Sequence, residues 1–91
     1  NMPDVNGFQV QEAEALLRRL GFSQVRARHH GEIVRLEVEL ESLSRLVADP
    51  IRQTVQDGMQ ALGFRYVALD LAGYRQGSMN EMLLIPAAAL S

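Results

Sequence analysis

The sequence predicts a small α+β domain of order α-β-β-α-β: a three-stranded sheet with two helices packed on one face, related to the ferredoxin-like arrangement. Three observations predict it. A helical stripe of apolar residues runs through Gln9–Leu20, and a second runs through Ile51–Leu62. Strict alternation of apolar and charged residues marks Ile33–Leu40. The strings Leu20-Gly21-Phe22 and Leu62-Gly63-Phe64 each close a helix and lead into a strand, so a helix–strand unit is repeated. The chain of 91 residues reads as one domain, residues 1–91, with its core in 9–71 and a loop and tail in 72–91.

In the first helix, Val10, Ala13, Leu16, Leu17 and Leu20 share a face, and Gly21 is the stop. Val25–His29 is the first strand and Ile33–Leu40 the second, with His30-Gly31 at the hairpin tip. After a short helix over Ser42–Ala48, Asp49-Pro50 supplies a cap and a first-turn proline. The second main helix turns Ile51, Val55, Met59 and Leu62 inward, and Gly58 either permits close packing or weakens it. Arg65–Leu71 is the third strand, parallel to the second because a helix crosses over between them. Met82–Leu90 is an apolar stretch with no place in this core, and burying it against a second copy predicts a homo-oligomer.

Composition excludes several functions. Without cysteine there is no disulfide scaffold, thiol nucleophile or thiolate metal site. A net charge of −2 supplies no field for nucleic acid, and no segment is apolar enough to span a membrane. Nothing reads as a signal peptide, so the expected location is cytoplasmic. All nine basic residues are arginine, the better side chain for forked binding of phosphate or carboxylate.

Two helices cover one face of a three-stranded sheet, so any chemistry belongs to the other. A turn centred on His30-Gly31 pairs Ala27 with Val34 and Val25 with Leu36. It sets Arg26 opposite Arg35, with Arg28 beside them and Glu37 diagonal to Arg26. Converging guanidiniums form an anion site; the alternative is a solvated strand face with weak ion pairs. His29 and His30 point to opposite faces and cannot simply share a metal; His29 packs under the hairpin and His30 caps the turn. The segment Gly73–Glu81 reads either as an oxyanion loop presenting backbone N–H groups and Arg75, or as a turn into a tail. It is neither a Walker loop nor a dinucleotide fingerprint.

The strings Arg26-Ala27-Arg28-His29-His30-Gly31, Arg35-Leu36-Glu37-Val38, Gly63-Phe64-Arg65-Tyr66 and Gly73-Tyr74-Arg75-Gln76-Gly77-Ser78-Met79-Asn80-Glu81, in this order, resemble the carboxy-terminal domain of the LarE family. The resemblance runs from about Val10 to Glu81. It implies ATP-dependent sacrificial sulfur transfer. In that family a PP-loop domain adenylates a carboxylate of a pyridinium dicarboxylate mononucleotide, and an enzyme cysteine then leaves its sulfur as a thiocarboxylate. The product is the organic part of the nickel-pincer cofactor of lactate racemase. The carboxy-terminal domain contributes anion-binding arginines, acidic groups and oligomer contacts.

Carried over, the resemblance assigns Arg26, Arg28, Arg75 and Ser78 to phosphate or carboxylate, and Glu37 to a metal. Arg35 joins them from the strand pattern alone. The departures are plain: these residues include no Ser-Gly-Gly-x-Asp-Ser string to hold ATP and no cysteine to donate sulfur. ATP and magnesium are therefore expected only with a PP-loop domain, in cis or in trans, and no catalytic residue is assigned within the chain. The chain is either an excised carboxy-terminal domain or a free-standing one. The competing class is a non-catalytic interaction module, which anion binding distinguishes from a substrate-binding domain.

Overall fold

The computed structural model describes residues 3–76, with side chains from residue 7 onward. Its order is α1 (Pro3–Arg19), β1 (Val25–His30), β2 (Ile33–Val38), a 3-10 turn (Leu40–Ser42) running into α2 (Leu43–Leu46), α3 (Ile51–Ala61) and β3 (Tyr66–Leu69). The strands lie in the order β1-β2-β3, with β1 antiparallel and β3 parallel to β2. This is the α+β arrangement the pattern predicts, with β2 central. Helix α1 begins six residues before the predicted start at Gln9, and Pro3 opens it at a position proline favours.

One apolar cluster forms the core. Ala13 and Leu17 of α1, Val55 and Met59 of α3, and Val25, Ala27, Val34, Leu36 and Val38 of the sheet are buried in it. Close approach is the reason for Gly58: a Cβ there would run into the Leu16 side chain, so the glycine is a contact point between α1 and α3. The predicted cap at Asp49 differs. Pro50 occupies the cap position without a side-chain hydrogen bond, and Asp49 Oδ1 instead accepts from Arg52 Nε at 2.9 Å.

The repeated Leu-Gly-Phe string has a structural basis. Gly21 and Gly63 have φ of 99° and 104°. Phe22 N–H bonds the Leu17 carbonyl and Gly21 N–H the Arg18 carbonyl; Phe64 bonds Met59 and Gly63 bonds Gln60 in the same way. Both helices thus end in the same left-handed glycine cap, and each cap drives a phenylalanine into the core. The repeat fixes where β1 and β3 start, and so which of their residues face away from the helices.

The hairpin register differs from expectation. Val25 pairs with Val38, Arg26 with Glu37, Ala27 with Leu36, Arg28 with Arg35 and His30 with Ile33. The turn residues are Gly31 and Glu32, one position later than expected, and the pairing slides by two. The cause is turn chemistry. Gly31, with φ 61°, takes the first central position, where a type II′ hairpin turn demands glycine. A turn on His30-Gly31 would have put histidine there.

Candidate functional site: the charged face of the sheet

The face turned away from the helices is a grid of three rows, read across β1, β2 and β3. At the hairpin end lie His30, Ile33 and Tyr66; next come Arg28, Arg35 and Ala68. The third row is Arg26 and Glu37, with Asp70 one residue beyond the paired stretch of β3. Alternation therefore places Arg26, Arg28, Arg35 and Glu37 on the predicted face, but the predicted strands run too far: Leu40 lies in the 3-10 turn and Leu71 beyond β3, and both are exposed instead of facing the core. The slipped register changes the neighbours: the like-charge pair across the hairpin is Arg28–Arg35, and Arg26 faces Glu37.

The chain after β3 returns across the third row. Asp70 N–H bonds Leu36, Gly73 N–H bonds Asp70 and Tyr74 N–H bonds Val38 at 2.7 Å. Gly73 is required twice over. Its φ is 83°, and a Cβ there would sit 3.1 Å from the Val38 carbonyl oxygen and 3.3 Å from Leu40 Cα, both backbone atoms. This seating places the Tyr74 ring 5.9 Å from the Arg26 guanidinium carbon and Arg75 Nη2 3.2 Å from Asp70 Oδ2. It also occupies the first N–H groups of the segment read as an oxyanion loop, of which residues 73–76 are described. The N–H groups of Ala72, Gly73 and Tyr74 all bond protein oxygens, so they offer no anion nest. Ser78 lies outside the described residues.

Glu37 is the centre of the site. Its side chain is only 2% exposed on a face that alternation alone marks as open. Arg35 Nη1 donates to Glu37 Oε2 at 2.8 Å and to Asp70 Oδ2 at 2.8 Å. Arg28 Nε stands 3.5 Å from the same Glu37 oxygen and makes no hydrogen bond to it, and Glu37 Oε1 has no partner among the described residues. The Ala72 backbone N–H holds the Asp70 carboxyl below its ordinary range; burial opposes this, and Arg75 and Arg35 reinforce it. The nearest charges to Glu37 are guanidiniums, and no three His, Asp or Glu side chains among the described residues converge as a metal would need.

Arg26 is engaged elsewhere. Its Nε lies 3.9 Å from Glu14 Oε2, and that same oxygen accepts the outward Ala27 N–H of the β1 edge at 3.0 Å. Glu14 of α1, which the sequence reading does not single out as a site residue, is therefore the anchor of the β1 edge. His29 turns inward and meets Phe64 at 5.7 Å between ring centroids, as expected.

A guanidinium has five N–H donors on two usable edges. In Arg35 both carboxylates take Nη1. Its Nε and Nη2, the edge that grips an oxyanion in a fork, bond nothing among the described residues. Arg28 stands directly across the hairpin, and the two side chains are 33% and 39% exposed.

Fold and face define a small α+β domain with an arginine-rich, carboxylate-braced sheet surface. No family model matches the sequence. Over 78 residues, 86% of the chain, it is 44% identical to the pyridinium-3,5-bisthiocarboxylic acid mononucleotide synthase of Lactiplantibacillus plantarum. Over 75 residues it is 40% identical to an uncharacterized protein of Synechocystis. The resemblance to the LarE synthase read from the motifs therefore holds across most of this chain. The match covers 28% of either relative, so the chain spans little more than a quarter of their length.

Among the described residues no helix is long and apolar enough to cross a membrane.

Proposed function

We propose that this chain is the substrate-binding domain, of carboxy-terminal type, of a LarE-like sulfur transferase in nickel-pincer nucleotide synthesis, and that its arginine face holds the phosphate or a carboxylate of a pyridinium mononucleotide. The observation that carries the reading is the Nε/Nη2 edge of Arg35, which bonds nothing among the described residues while Glu37 and Asp70 both take Nη1, with Arg28 across from it. The carboxylates set the geometry before any anion arrives, so the guanidinium loses little freedom on binding. An incoming dianion also relieves the Arg28–Arg35 repulsion. Arg26 and Arg75 flank the anion from the third row. Glu37 acts here as the brace of the arginines; a metal at this carboxylate would have to displace them. Adenylation and sulfur donation fall to a cytoplasmic PP-loop partner domain, in cis or in trans, which brings ATP, magnesium and a cysteine.

Calorimetric titration with pyridine-3,5-dicarboxylate mononucleotide tests this. Binding on the order of millimolar, about −4 kcal/mol, is expected from one face of a divided site. It should vanish in an Arg28→Ala, Arg35→Ala double variant. A wild-type chain that gives no heat and no spectral change would overturn the reading.

One observation favours an additional assembly role. Strand β3 is a sheet edge, and beside it Leu46, Val47, Val55, Val67 and Leu69 line an apolar groove of about 120 Å³. Leu71, just beyond the strand, is exposed. Such an edge is suited to a second copy of the chain.

A further inference from the structure

The row beyond the arginines has a different chemistry. Ile33 and Tyr66 are directly paired across β2 and β3, point to the same face as Arg28 and Arg35, and are 38% and 54% exposed. Single exposed apolar residues are ordinary on a protein surface. These two lie side by side in the row next to that of Arg28 and Arg35. On β3 only the methyl group of Ala68 lies between Tyr66 and Asp70 on this face, so no large β3 side chain separates this pair from the arginine row. Two residues along a strand span about 7 Å. The guanidinium carbon of Arg65, the residue before β3, lies 5.6 Å from the Tyr66 ring centroid.

We infer that Tyr66, with Ile33, is the stacking platform for a planar aromatic ring joined through a sugar to the phosphate that Arg28 and Arg35 hold. This rests on the anion-binding reading above and adds a specificity determinant to it. The arginines alone would not distinguish an aromatic nucleotide from a plain sugar phosphate; a ring platform one row away does. Charge complementarity fixes the phosphate end, and the pairing of Ile33 with Tyr66 fixes the ring end. The occupant is therefore an aromatic mononucleotide lying along the strand direction.

The test compares three probes on the full chain by NMR titration: inorganic phosphate, ribose 5-phosphate and nicotinic acid mononucleotide. The mononucleotide should bind about tenfold tighter than ribose 5-phosphate, equivalent to about 1.4 kcal/mol and within the range of ring stacking. Tyr66→Ala should remove that advantage and Tyr66→Phe should keep it, while inorganic phosphate binds equally to all three proteins. Equal affinity for the two sugar phosphates, or an advantage that survives Tyr66→Ala, would refute the platform and leave the anion site standing. No phosphate response in the wild type would overturn the anion site and the platform with it.

Discussion

Replacing Glu37 should destabilise the fold far more than its place on a helix-free sheet face suggests. In Glu37→Gln the shape is kept and the charge is lost. The 2.8 Å bond from Arg35 then falls from charge-assisted to neutral. Such bonds are worth about 1.5–3 and about 0.5–1.5 kcal/mol, a difference of about 1–1.5 kcal/mol. Loss of the weaker attraction to Arg28 at 3.5 Å brings the expected cost to about 1–2 kcal/mol. Removing one partner of a fully buried pair can cost about 3–5 kcal/mol, but both arginines are a third or more exposed, so water screens part of the deficit. Glu37→Ala, which adds a cavity and leaves Arg35 with Asp70 alone, should cost about 3 kcal/mol. Urea unfolding followed by circular dichroism reads both. With a slope near 1 kcal/mol/M, the Gln variant should lose about 1–2 M of midpoint. The exposed Glu41→Gln should change stability by no more than about 0.5 kcal/mol. A Glu37→Gln midpoint indistinguishable from that of Glu41→Gln would refute the placement of an arginine-bound carboxyl group at Glu37.

Three further outcomes are expected. Burial raises the Glu39 pKa, but hydrogen bonds from its own backbone, from Gln24 and Ser23 backbone N–H groups and from the Ser42 hydroxyl outweigh it and bring it from 4.5 to about 2. The unfolded chain therefore binds the extra proton in that window, so Glu39 stabilises above about pH 4.5 and its contribution is lost as pH falls toward 2. Glu39→Gln should flatten the acid limb of stability against pH, and an unchanged limb would contradict this. Gly73→Ala forces a left-handed alanine, a cost of about 1–2 kcal/mol, and drives its Cβ against backbone; it should shift the Tyr74 ring signals and weaken phosphate binding, whereas wild-type stability and ring shifts would contradict the seating of the loop. Sedimentation equilibrium at micromolar concentration should show self-association; a clean monomer would count against the assembly role of the β3 edge.

The faces of the sheet were legible in the sequence and its register was not, for one physical reason. Side chains alternate with a period of two, so a slip of two residues leaves every side chain on its own face. The apolar pattern therefore places Arg26, Arg28, Arg35 and Glu37 opposite the helices under either register. Only the turn chooses between them, and the choice lay in which central position Gly31 occupies. The helix ends were legible because Leu-Gly-Phe encodes a local cap. The burial of Glu37 was not, because alternation gives the face of a side chain and not how closely Arg35 and Arg28 gather round it. Arg35 was legible as a residue of the helix-free face from alternation; that its Nη1 is held by two carboxylates follows from Asp70, which lies beyond a different strand. Glu14 left no signal, since a helical glutamate gives no hint that it will take up an edge N–H of β1.

The anion site itself is tested most directly by following backbone amide signals while inorganic phosphate is added to the wild-type chain and to the Arg28→Ala, Arg35→Ala double variant. The arrangement of Arg28, Arg35, Glu37 and Asp70 predicts saturable shifts at Arg28, Arg35 and Ala68 in the wild type, on the order of millimolar affinity, that disappear in the double variant and persist in weakened form in Arg26→Ala. Flat signals at those positions in the wild type, or shifts that survive in the double variant, would contradict it.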